Sequence, residues 1–109
     1  MLEPILGSKS SEQVLIFIAA RGRGYAREIA RFFDTDLLGI QRQLAKLEAG
    51  GILASENVGR TRPYRFDPRY AFLDEIKALL EKALTFYPRD MQERLLFNRR
   101  RPRRKAKPL

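Results

Sequence analysis

Two clusters in this 109-residue chain carry side chains suited to directional hydrogen bonding. Thr35, Gln41, Arg42 and Lys46 stand in one segment, with Leu38 and Gly39 among them, and Arg60, Thr61 and Arg62 stand in another. An arginine guanidinium is a planar fork that pairs bidentately with guanine O6 and N7. A glutamine amide pairs in the same way with adenine N6 and N7, and each good pair is worth about 1–3 kcal/mol of discrimination. The missing residue types are equally informative. With no Cys and no His there is no disulfide framework, no thiolate or imidazole metal site and no nucleophile–histidine relay. The 13 Asp and Glu residues form no paired motif for general acid–base work. An enzyme is therefore not expected, and neither is a cofactor.

Charge narrows the class of partner. Lys and Arg number 22, giving a net charge of +9 and a pI near 10.5. Such an excess points to a polyanion, either nucleic acid or an anionic membrane. Its distribution is uneven: Arg99, Arg100, Arg101, Arg103, Arg104, Lys105 and Lys107 fall in residues 99–109 without an acid, leaving about +2 for residues 1–98. The sequence RRRPRRKAKPL cannot form an apolar face, so a flexible basic tail is expected. It reads as a nucleic-acid arm or as a solubilising terminus, and a nuclear-localisation run has the same loose form. A hydrophobic fraction of 44% requires a folded body beside it. The longest apolar run, Val14 to Ala20, falls far short of the roughly 18 residues of a membrane span. The first residues do not form a secretory signal, and a soluble cytoplasmic protein without membrane contact is expected.

The elements that would position these residues can be read from periodicity and punctuation. A short helix is expected over 2–6. Ser10 and Gln13 have capping-box spacing and open a helix over 11–21, although VLIFI within it has the composition of a buried strand too. RGRG at Arg21 to Gly24 breaks the chain. Ala26, Ile29, Ala30 and Phe33 share one face of a helix over 25–33. Ile40, Leu44 and Leu47 do so in a helix over 36–49, which Thr35 or Asp36 can cap and Gly50-Gly51 ends. Two helices joined by about three residues have helix-turn-helix spacing. Strands follow over 52–58 and 64–66, flanking the basic turn Gly59 to Pro63. Asp67-Pro68 has the form of a helix start, giving a helix over 68–87 that Pro88 stops. Asp90 and Glu93 suggest a short helix over 91–97. The expected architecture is mainly α with a small β-hairpin: a domain over 1–87, a helical extension over 88–98 and the tail over 99–109.

This order, with ILGSKS (Ile5 to Ser10), REIAR (Arg27 to Arg31), IQRQLAKLEAGGIL (Ile40 to Leu53) and VGRTRPYRF (Val58 to Phe66), resembles the ArsR-like winged helix-turn-helix regulators. More narrowly it resembles a branch of small prokaryotic regulators, some of which work beside minimal nucleotidyltransferases. The resemblance implies double-stranded DNA binding by a homodimer, with the helix over 36–49 in the major groove. A nucleotidyltransferase partner is the alternative it suggests, along with non-specific nucleic-acid binding. Asp34 and Asp36 depart from the pattern, which commonly has small uncharged residues there. Asp36 either caps the helix or accepts from cytosine N4.

On this reading Thr35, Leu38, Gly39, Gln41, Arg42 and Lys46 face the groove, and Gly39 lets the backbone come close to DNA. Arg60, Thr61 and Arg62 reach phosphates or the minor groove. The tail adds salt-sensitive affinity. Arg27 meets either a phosphate or a carboxylate. The surplus apolar residues of the helix over 68–87, Phe72, Leu73, Ile76, Leu80 and Leu84, form with Leu2, Ile5 and Leu6 the expected dimer surface.

Overall fold

A computed structural model describes residues 1–96. Residue 97 of the helix expected over 91–97 and the tail cations Arg99, Arg100, Arg101, Arg103 and Arg104 lie outside the described residues. In chain order the elements are α1 (Glu3–Leu6), α2 (Lys9–Arg21), α3 (Ala26–Phe33), α4 (Leu37–Ala49), β1 (Leu53–Ser55), β2 (Tyr64–Phe66) and α5 (Leu73–Leu84). A last helix, α6, runs over residues 89–96. Among the described residues no helix is long and apolar enough to cross a membrane.

The centre of the molecule is α2, where Val14, Leu15, Ile16, Phe17 and Ile18 are all buried. A helix enclosed on every side needs no polar face, which explains why its composition also suited a strand. It packs against α1, α3, α4, α5 and β2. The helix opens earlier than Ser10 implies: Ser8 is the N-cap, and its Oγ accepts from the Ser11 N–H at 3.0 Å. One carboxylate is taken into this region. Glu12, 5% exposed, accepts from the Leu2 N–H at 2.7 Å, from the Met1 amino group at 3.3 Å and from the Tyr87 hydroxyl. Burial, and then the hydrogen bond to Glu12, push the Tyr87 phenol far above its ordinary pKa, so it remains a donor.

RGRG proves to be more than a breaker. Gly24 exchanges two backbone hydrogen bonds with Tyr64, at 3.0 and 2.8 Å, adding a single bridge to the hairpin. A Cβ at position 24 would lie 2.7 Å from the Phe17 ring, so only glycine lets these backbones meet over α2. β1 and β2 pair antiparallel with Leu53 opposite Phe66 and Ser55 opposite Tyr64. The expected strand over 52–58 stops at Ser55 because the next position faces Pro63, which has no N–H to donate.

The helix expected over 68–87 is trimmed at both ends. Asp67 caps a turn instead of a helix, accepting from the Arg69 N–H at 2.9 Å, and the chain turns twice more before Leu73. At the far end Thr85 folds its hydroxyl back onto the Lys82 carbonyl at 2.6 Å, so the helix ends well before Pro88. Pro88 begins the next one: its carbonyl accepts from the Gln92 N–H at 3.0 Å. α6 thus starts at residue 89, and Asp90 sits inside its first turn rather than before it. Leu95 is buried, and Arg21 holds the last described turn of α6, donating from Nε to the Leu95 carbonyl at 3.0 Å and from Nη2 to the Arg94 carbonyl at 3.2 Å. The same guanidinium lies 4.4 Å from the centre of the Phe17 ring.

Candidate nucleic-acid interface

The recognition segment begins at Asp36, the N-cap of α4, whose Oδ2 accepts from the Gly39 N–H at 3.1 Å. Its capping role is therefore established by geometry. Asp34 takes a left-handed backbone, φ 52°, at the end of α3 and turns the chain into α4. Ile40, Leu44 and Leu47 face the core. The opposite side of α4 exposes Leu38, Gln41, Arg42, Ala45 and Lys46, one stripe along the helix. Leu38, at 50% exposure, is a large apolar group left in water.

Two expected groove residues stand apart from that stripe. A Cβ on Gly39 would meet Ser10 Oγ at 3.6 Å and Asp36 Oδ2 at 3.7 Å, so the position faces the start of α2. Both are ordinary van der Waals distances, so the packing of α4 beside α2 does not itself require glycine at this position. Thr35 is half-buried in the turn, its N–H bonded to the Ala30 carbonyl at 3.0 Å.

Gln41 is brought together with the wing. A cleft of about 440 Å³ is lined by Tyr25, Ala26 and Arg27 from the start of α3, Leu37, Gln41 and Leu44 from α4, and Arg60, Thr61, Arg62 and Tyr64 from the hairpin. Arg42 and Lys46 lie on the adjoining exposed face. Three arginines thus share one concavity, and Arg27 forms no ion pair among the described residues. The acid beside it, Glu28, is turned away: its Oε1 accepts from the Tyr25 N–H at 3.2 Å and its Oε2 lies 3.7 Å from Arg21 Nη1. Tyr25 and Tyr64 were not evident from sequence as cleft residues. Tyr64 is placed there by its pairing with Gly24, for which no local pattern exists.

The wing tip is a tight turn over residues 58–61, with Val58 and Thr61 exchanging backbone hydrogen bonds at 2.8 and 3.0 Å. Gly59 takes φ 61° at the first central position, the left-handed conformation a two-residue hairpin loop requires there. Arg60 projects from the second. Arg62 is engaged within the protein: its Nε donates to Ser55 Oγ at 2.9 Å, and Ser55 donates to Glu48 Oε2 at 2.7 Å.

The expected dimer residues divide. Leu80 at 0% and Leu2 at 8% exposure belong to the chain's own core, Leu80 from α5 and Leu2 from the position just before α1. Leu6, Leu73, Ile76 and Leu84 are half-buried. Ile5 and Phe72 are exposed at 69% and 62%, and so is Phe86 at 67%, which lies beyond α5. Phe86 lines an almost wholly apolar hollow with Met1, Leu2, Leu79, Lys82 and Ala83. Among the described residues no group of three or more acids could hold a metal ion.

No family model matches the sequence, and no curated protein matches it. Solved structures do. Reduced HlyU from Vibrio cholerae superposes with a TM-score of 0.61 at 17% identity, covering 79% of this chain and 84% of HlyU. A cysteine-to-serine mutant of MarR from E. coli gives 0.59 at 17%, covering 89% and 69%. Mb0332 from Mycobacterium bovis gives 0.57 at 20%, covering 77% and 75%, and is described as a homodimeric winged helix-turn-helix DNA-binding domain of a possible ArsR-family transcriptional regulator. With its helix-turn-helix of α3 and α4 and the antiparallel hairpin behind it, the chain has the winged helix-turn-helix fold.

Proposed function

We propose that this chain is a transcriptional regulator that binds double-stranded DNA as a homodimer and is not an enzyme. The single observation that carries this reading is the continuity of the exposed α4 stripe with the three-arginine cleft beneath the wing. α4 enters the major groove with Leu38, Gln41, Arg42 and Lys46 toward the base edges. Leu38 offers an apolar surface for a thymine methyl group, and Arg42 offers a fork for guanine. Arg27 and Arg60 lie at the cleft where a phosphate strand passes beside the groove, fixing register without reading sequence. Residues 99–109 add charge to the same polyanion.

The homodimer is supported by the large apolar side chains left exposed at Ile5, Phe72 and Phe86, and by the described homodimeric state of the Mb0332 domain. A two-fold dimer would put two α4 helices on one duplex, reading a two-fold-related site. The nucleotidyltransferase adaptor suggested by the sequence pattern has no counterpart in the superposed structures described above.

Selection of bound duplexes from a random pool by the full chain tests the reading. Enrichment of an inverted repeat is expected, with Arg42→Ala relaxing one position at a cost of about 1–3 kcal/mol. A pool that remains random after repeated rounds would leave only non-specific binding.

A further inference from the structure

We propose that Arg62 is a positioning residue, one that braces the wing against α4 through Ser55 and Glu48 and so sets where Arg60 meets the duplex. The inference rests on the reading of α4 and the wing as the DNA-binding face.

The geometry is a chain of three side chains. Glu48, near the end of α4, accepts from the Ser55 hydroxyl at 2.7 Å, and the same Ser55 oxygen accepts from Arg62 Nε at 2.9 Å. A hydroxyl has one proton and two lone pairs, so it can link a carboxylate on one side to a guanidinium on the other. The two charged ends polarise the bond between them. Nη1 of Arg62 lies 3.5 Å from Asn57 Oδ1, which also turns the guanidinium toward the hairpin.

This chain matters because little else fixes the wing. The ladder ends at the Ser55–Tyr64 pair, and beyond it the Val58–Thr61 bridge is the one backbone pairing between the two arms among the described residues. Residues 56–62 are exposed, so packing does not orient them. Among the described residues, the Arg62–Ser55 bond is the one hydrogen bond that side chains of residues 56–63 make outside that segment. A short hairpin without packing is marginal in water. Arg60, in contrast, has no hydrogen bond or ion pair among the described residues and is available to an outside anion.

Lysine preserves the charge of Arg62 but not its fixed Nε geometry, so charge and bracing can be separated. Four variants of the full chain, Ser55→Ala, Arg62→Lys, Arg62→Gln and Arg60→Gln, would be compared by amide hydrogen exchange without DNA. Salt-dependent binding to the duplex recovered by selection would then be measured for each. Bracing predicts that Ser55→Ala and Arg62→Lys each speed exchange of the Val58 and Thr61 amides by about tenfold. Both should also weaken selected-duplex binding while leaving the salt slope at the parental value. Arg60→Gln should lower that slope by about 0.9 and leave the wing amides unchanged. Parental exchange in Ser55→Ala and Arg62→Lys would overturn the proposal. So would parental binding by Arg62→Lys together with a slope lowered by about 0.9 in Arg62→Gln, since Arg62 would then be a phosphate contact. A parental slope in Arg60→Gln counts against the DNA face itself, and the exchange result still decides whether the brace exists.

Discussion

α2 and the wing are opposites in how they are held. α2 buries eight of its thirteen residues and is fixed by apolar contact on every side. The wing over residues 56–62 is exposed and is fixed by a few hydrogen bonds. Close packing makes the position of α2 insensitive to any single polar bond, while the wing's direction depends on individual ones. Substitutions in α2 should therefore register as lost stability, and substitutions in the wing as altered geometry with the fold intact.

Phe17→Ala attacks the first half of that contrast most strongly. The ring is fully buried, meets Phe32 edge-on at 5.7 Å and lies under Arg21, so truncation should cost about 3–5 kcal/mol in denaturant unfolding. A loss below about 1 kcal/mol would mean that α2 is less tightly enclosed than it looks. Tyr87→Phe comes next. It removes a donor from the buried Glu12 carboxylate, and a hydrogen bond to a charged group is worth about 1.5–3 kcal/mol. Gly24→Ala strikes where the two regions touch: its Cβ would press on Phe17, with a destabilisation of about 1–3 kcal/mol. It should also accelerate amide exchange at Tyr64, the strand residue bonded to Gly24.

The smallest expected effect is on pH dependence at the foot of the hairpin. The Arg69 side chain and N–H hold the Asp67 carboxyl below its ordinary pKa. Its contribution is therefore present above the unfolded-state value near 3.8 and is lost as pH falls through the lower folded-state value. Asp67→Asn should flatten the acid limb of the unfolding curve without moving stability's pH dependence near neutrality.

Much of this arrangement is legible in the residues. α3 and α4 begin within one residue of the positions set by their apolar spacing, and Asp36 caps α4 as its type allows. Those helices have one wet face and one dry face, so their period survives in sequence. Val14 to Ile18 carry no such period because every face is dry. The ends of α5 differ from the expected 68 and 87 because Asp67 and Thr85 satisfy turns that compete with helix. Pairing between Gly24 and Tyr64 is a contact across forty positions and leaves no local trace. Gln41, Arg42, Arg60 and Arg62 stand out by residue type, but only geometry separates Arg60, unpaired among the described residues, from the engaged Arg62, or sets Gly39 beside the start of α2 rather than in the exposed stripe.

The Arg21 grip on the last described turn of α6 also fixes an anchor point. Leu96 lies beside a point tied to α2 by two hydrogen bonds, and thirteen residues of chain cannot place Leu109 farther than about 45 Å from it. That bound is little more than one turn of a duplex. The seven cations of the last eleven residues are therefore never at bulk concentration around this fold. A polyanion seated on the body would meet them as an intramolecular event, whose strength depends on the number of intervening residues and the anchor position rather than on how much protein is in solution.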